Sequence, residues 1–83
     1  MTACPSLTYA VTPEQWTAIK SAVCAKIGIA ITVDAGSATS DGFTIAWIFA
    51  SGDLTLTATD SPWWASCSMI NGEIDGLVRP LLG

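Results

Sequence analysis

The chain reads as a two-layer α+β domain in the order β-α-β-β-β-α, a mostly antiparallel sheet with two helices on one face. Three observations lead there. Apolar residues alternate with period two in four short runs, Leu7–Val11, Ile29–Val33, Phe43–Phe49 and Leu54–Ala58. Two stretches, after Thr12 and after Asp60, place apolar residues at helical spacing behind helix-start residues. Turn-forming Gly, Pro and Asp separate these runs, and no repeat, linker or low-complexity tract interrupts residues 1–83, which read as a single small domain.

The first strand takes Leu7, Tyr9 and Val11 as its buried side, with Thr8 and Ala10 opposite. It is short enough to serve either as a sheet strand or as an arm exchanged between subunits. Thr12-Pro13-Glu14-Gln15 then starts a helix: Thr12 caps, Pro13 fits the first turn, and Gln15 completes a capping box. Trp16, Ile19, Val23 and Ile27 form its apolar stripe, and Gly28 supplies the stop. Ile29, Ile31 and Val33 predict a second strand, and the Gly/Ser/Thr/Asp content of Ala35–Gly42 predicts a flexible loop.

Phe43, Ile45, Trp47 and Phe49 line one side of a third strand, and Ser51-Gly52-Asp53 makes a tight turn. Leu54, Leu56 and Ala58 continue the alternation in a fourth. Asp60-Ser61-Pro62 predicts the start of the second helix, with Trp63, Cys67, Ile70, Ile74 and Leu77 as its stripe. Pro80 ends it, unless Gly76 ends it sooner. Gly72 and Gly76 fall on one side of that helix, and Ala18, Ala22 and Ala25 on the first, which predicts close packing between the two.

Composition limits the functions available. Apolar residues make up 51% of the chain and charged residues only 12%, about half the usual share, so few charges keep a monomer apart from its neighbours. Lys20, Lys26 and Arg79 are the only basic side chains against seven acidic ones, a net charge of −4. Nucleic acids and anionic membrane surfaces both require clustered cations, so neither is an expected partner. MTACPSLTYA lacks the basic start and apolar stretch of a secretory signal, and FTIAWIFA is far shorter than the ~20 residues of a membrane span. A cytoplasmic protein is expected. Cys4, Cys24 and Cys67 are odd in number and lack CxxC spacing, which fits reduced thiols, with a Cys24–Cys67 bridge as the alternative.

Chemistry has few places to sit. The chain has no histidine, so Cys-His and Ser-His-Asp arrangements are excluded, and so are most zinc and haem sites. Cys67 falls on an apolar stripe and reads as a small buried hydrophobe rather than a thiolate. Asp34, Asp41, Asp53 and Asp60 occupy strand ends and turns, where Asp bonds local backbone; Asp34 and Asp41 are too few and too far apart for a calcium loop. Asp75 and Arg79 are spaced for an exposed helical ion pair. No phosphate-binding glycine motif occurs, no cofactor is implied, and the chain reads as a non-enzyme.

What remains is surface. If Phe43–Phe49 and Leu54–Leu56 turn their large side chains to the helices, the opposite face carries Thr32, Thr44, Ala46, Ile48, Thr55, Thr57 and Thr59, without a charge until its rim. Such a face suits solvent, a stacked second copy, or a repeating ligand surface, although at ~300 Å² it is too small to hold a stable dimer alone. Trp64 lies off the helical stripe and is a candidate exposed anchor, whereas Trp16, Trp47 and Trp63 are expected to pack. These residues predict a small interaction protein that pairs with itself, and with another protein it binds or sequesters, in the manner of an inhibitor encoded by a phage or mobile element. The alternative is a small-molecule binder with an apolar pocket between helices and sheet or at a subunit interface.

Overall fold

A computed structural model describes residues 3–82. They form four strands, β1 (Leu7–Ala10), β2 (Ala35–Ser40), β3 (Phe43–Ala50) and β4 (Asp53–Asp60), and two helices, α1 (Pro13–Ile27) and α2 (Cys67–Val78), with a final 3-10 turn at Arg79–Leu82. The sheet order is β1-β4-β3-β2 and every neighbouring pair is antiparallel. The expected α+β fold and its element order are therefore present, with both helices against one face.

The two hairpins have a local cause. Asp41 and Gly42 between β2 and β3, and Ser51 and Gly52 between β3 and β4, all adopt positive φ, the twist-matching conformation of two-residue turns. With Ala50 opposite Asp53, the second turn sets Leu54 against Phe49 and Leu56 against Trp47 on the inner face. β1 adds to β4 with Leu7 opposite Leu56 and Tyr9 opposite Leu54, so its large side chains face the helices too. Thr59 is the extra residue of a bulge opposite Thr44 and Ile45.

α1 begins as the sequence predicts. Thr12 Oγ1 accepts from the Gln15 amide, the Gln15 side chain accepts from the Thr12 amide, and Gly28 ends the helix at φ 85°. The core gathers Trp16, Ile19 and Val23 of α1, Ile45, Trp47, Leu54, Leu56 and Ala58 of the sheet, and Ile70, Ile74 and Val78 of α2. Trp16 also stacks on Phe49 and donates its indole N–H to Asp34 Oδ1, so α1 lies toward β2 and β3.

Several expectations need correction. Ile29–Val33 is not a strand: it is the extended connection from α1, with Ile29 buried and Val33 exposed, held where Val33 O accepts from the Trp47 indole. The Ala35–Gly42 segment, expected to be a loop, supplies β2 and its turn, because an edge strand needs backbone partners on one side only and small side chains suffice. α2 starts at Ser66, whose hydroxyl accepts from the Met69 amide, and not at Asp60. β4 occupies the chain through Asp60, and a separate turn follows in which the Ala65 amide donates to Pro62 O. Trp63 thus leaves the helical stripe and stands 96% exposed. The glycines of α2 do not admit α1 either, since a Cβ at Gly72 or Gly76 would meet nothing within 4 Å.

The cysteines differ as well. Cys4 and Cys67 are joined, across a sequence separation of 63, and the exposed Cys24 is the free thiol. Cys4, whose amide donates to Ala58 O, brings the N-terminal segment alongside β4 and ties it to the first turn of α2. Asn71 Nδ2 donates to Pro5 O, and Tyr9 Oη to Asp75 Oδ1 at 2.9 Å, so α2 is fastened at three points along residues 4–9.

The last of these contacts makes stability depend on pH. Burial, then the hydrogen bond to Asp75, pushes the Tyr9 hydroxyl up to about 12, and the bonds from Tyr9 and then Arg79 hold Asp75 below the usual carboxylate range. A raised tyrosine pKa contributes stability that is complete below its unfolded value of ~10 and lost as pH rises through the folded value; a lowered aspartate pKa contributes above ~3.9 and is lost as pH falls through the folded value. A melting-temperature plateau between these limits is expected, and Tyr9→Phe should lower it by a few degrees while flattening both limbs. Thermal melts of both proteins across pH 3 to 12 check this, and unchanged limbs in Tyr9→Phe would refute the assignment.

Candidate functional site

Between the end of α1 and the start of α2, beside the β2–β3 hairpin, lies an apolar groove of about 380 Å³. Ile27, Ile45, Ile70 and Ile74 line it together with Phe43, Trp64 and Met69, while Lys26, Ser40, Asp41 and Glu73 supply its polar groups. The local causes are visible in the chain. The inward period of β3 puts Phe43 at its hairpin end, and Trp64 sits in the turn before α2 with its ring edge-on to Phe43, 5.7 Å between centroids. Met69 lies in the first turn of α2, and Ser40 Oγ donates to Ile27 O, fixing the end of α1 beside β2.

The groove does not end there. Lys26, Ile27 and Glu73 also line a second hollow of about 410 Å³ that continues between the helices along Gly72, Gly76 and Leu77. The two hollows adjoin at Lys26, Ile27 and Glu73 and lie beside α2, whose 12 residues span ~18 Å. Trp64 and Met69 on the groove wall are 57% and 47% exposed, a substantial fraction of the exposed large apolar surface.

The opposite sheet face is built differently. Thr44, Ala46 and Ile48 of β3 and Thr55 and Thr57 of β4 alternate with buried or half-buried neighbours, and no helix of the described residues covers them. Ala35, Ser37 and Thr39 of β2 and Thr8 and Ala10 of β1 extend the face on either side. Its hydroxyls satisfy one another across strands, Ser6 with Thr57 at 2.7 Å, Thr39 with Thr44 at 2.8 Å and Thr8 with Thr55 at 3.2 Å. A face whose polar groups are already paired loses less on desolvation than one that depends on water.

Of the residues expected to share this face, Thr44, Ala46, Ile48, Thr55 and Thr57 do so, and Thr59 stands at its end in the bulge. Thr32 lies in the connection between α1 and β2, off the sheet, and Trp64 stands on the helix side in the groove. From sequence, Phe43 is expected only on the inner side of the third strand, and neither Met69 nor Glu73 stands out; the signal for Met69 is its place in the first turn of α2, which only the correct start at Ser66 reveals. Among the described residues no group of three or more His, Cys, Asp or Glu side chains comes together as a metal site. No helix of the described residues is long and apolar enough to cross a membrane.

In comparisons with protein-family models, curated proteins and solved structures, the chain has no significant match.

Proposed function

We propose that the chain is a small non-enzymatic interaction protein whose helix-side groove seats an apolar segment of a partner protein. The observation that carries this is the length of the groove. The part walled by Trp64 and Met69 alone is the size of a small-molecule site, but the adjoining hollow goes on past Ile27 to Gly76 and Leu77. An extended or helical segment fits that shape, with its apolar side chains in the wider end and its backbone close to the two glycines. Exposed Trp and Met are suited to such anchoring, Trp by area and Met by adaptability. Self-association is part of the same reading, because the uncharged sheet face and a charged fraction of 12% leave little to hold copies apart. The Cys4–Cys67 bond supports an oxidising compartment in place of the cytosol that the sequence alone suggested.

Met69→Glu tests the groove without loosening the fold. Met69 is the third helical residue after the Ser66 cap, so glutamate there completes a capping box and adds an acid to a first turn that has none. The melting temperature is expected to hold or rise, while a charge on the apolar wall weakens partner binding by at least ~10-fold. Affinity capture with wild type and Met69→Glu side by side should retain a protein on the first and lose it on the second. Equal retention on both would refute the groove as the site. The second reading, a small apolar molecule held in the Trp64–Met69 end, is favoured by that end's volume of about 380 Å³. It would show in native mass spectrometry as a bound organic mass that Met69→Glu abolishes.

A further inference from the structure

We infer that the outer edge of β2 pairs antiparallel with the same edge of a second copy, joining two four-stranded sheets into one of eight; this deepens the self-association half of the function proposed above and is independent of the groove.

The Asp34 carbonyl accepts from the Phe49 amide at 2.7 Å. Antiparallel alternation from that bond, in the register that sets Gly36 opposite Trp47 and Ala38 opposite Ile45, turns the backbone groups of Gly36, Ala38 and Ser40 toward β3. The N–H and C=O groups of Ala35, Ser37 and Thr39 point outward. Edge strands are ordinarily protected by Lys, Pro, bulges or shortness. β2 has none of these: its six residues, Ala-Gly-Ser-Ala-Thr-Ser, carry no charge, and its register with β3 has no shift. The opposite edge is protected, because β1 has four residues and follows Pro5 and the disulfide-bonded Cys4.

The occupant follows from symmetry. A two-fold axis at Ser37 sets Ser37 opposite its own copy and Ala35 opposite Thr39 of the copy. All three outward residues then form hydrogen-bonded pairs, and the edge complements itself without a gap. In this register Asp34 meets Ser40, so neither flanking acid lies directly opposite another. Small side chains on both faces of β2 leave room for the second strand. Two exposed large apolar residues flank the edge: Val33, whose side chain lies beside Gly36 on the helix side, and Ile48, opposite Ala35 on the open side. The contact is limited, ~20 Å of strand by ~10 Å of sheet thickness, well under the ~800 Å² per partner of a stable interface. The dimer is accordingly weak, forming in the range of roughly 10 to 1,000 μM. Pairing makes the uncharged face continuous over eight strands, ~38 Å wide.

The test uses charge swaps at Ser37 in a Cys24→Ser background, so that an intermolecular disulfide cannot imitate association. Hydrogen-bonded partners lie ~5.5 Å apart, so Ser37→Lys faces its own copy. Sedimentation equilibrium should show dimerisation weakened at least ~30-fold in Ser37→Lys and in Ser37→Glu, and restored when the two are mixed. Thr57→Lys, in the middle of the open face, should leave the dimer intact. Circular dichroism and melting confirm that each variant folds, and the mixing experiment distinguishes repulsion from damage. Dissociation by Thr57→Lys with Ser37→Lys unaffected, or failure of the mixture to reassociate, would overturn the edge while leaving self-association standing. A protein that stays monomeric to millimolar concentration would overturn both.

Discussion

Cys4→Ser is expected to destabilise the chain by about 4 kcal/mol, since loop-closure entropy for a 63-residue separation amounts to that much. A domain of this size has a total stability of roughly 4 to 12 kcal/mol, so the bond decides whether the reduced protein is folded at 37 °C. The reason lies in how the chain is built. Residues 3–6 contribute no regular structure, and β1 that follows is only four residues long. Without the bond, the contacts that hold this segment are the Cys4 amide on Ala58, the Asn71 amide on Pro5, the Ser6–Thr57 hydroxyl pair and the short β1 ladder. α2 in turn loses the anchor of its first turn. Urea unfolding of wild type, Cys4→Ser, Cys67→Ser and the double variant checks this: the three variants should be equally weakened, because each removes the same bond. Cys24→Ser, at an exposed position on α1, should stay within about 0.5 kcal/mol of wild type. A loss below ~1 kcal/mol in the first three would show that the bond does not hold the native state together.

That pairing was not legible from the sequence, and the cause is general. Cysteine spacing says nothing about which thiols meet when three are available. Cys67 looked like part of an apolar stripe because the second helix was started six residues too early, at Asp60. Asp60 and Ser66 are both good caps; β4 decides between them by running through Asp60, and strand length is a tertiary outcome. The same error buried Trp63 and hid the groove, whose walls are Trp64 in the turn and Met69 in the first turn of the true helix.

Strand β2 was missed for a different reason. Ile29–Val33 alternates and is β-branched, as an extended chain crossing an apolar layer is, yet it pairs with no strand. Ala35–Ser40 has no apolar alternation, because an edge strand of small residues buries little side-chain surface. Its legible signal was Asp41-Gly42, a strong two-residue hairpin turn next to a clear strand. By contrast α1, β3 and β4 as far as Ala58 were legible, since capping box, period and turn agree there. So was the open face at Thr44, Ala46, Ile48, Thr55 and Thr57, which follows from the period of two in strands whose other side is core.

Trp47→Ala should be the most damaging single change in the sheet, costing about 3 to 5 kcal/mol. Trp47 is buried at the centre of the inner face, opposite Leu56 on β4 and Gly36 on β2. Its ring passes beside Gly36, where a Cβ would sit 3.4 Å from Trp47 Cζ2, in van der Waals contact. Its indole N–H donates to Val33 O at 2.9 Å and holds the connection that leads into β2. The indole therefore does two jobs, filling the core and pinning β2, and Trp47→Phe separates them. Phenylalanine retains much of the packing but leaves the Val33 carbonyl without its donor, at about 1 to 3 kcal/mol. Hydrogen exchange locates the damage. In Trp47→Phe the amides of Gly36 and Ala38, which face β3, should exchange faster while those of β4 keep most of their protection. Uniform loss across the sheet would mean that the indole acts through volume alone. Selective loss at β2 would mean that the self-pairing edge is held in place from inside, so the same variant should also weaken the dimer.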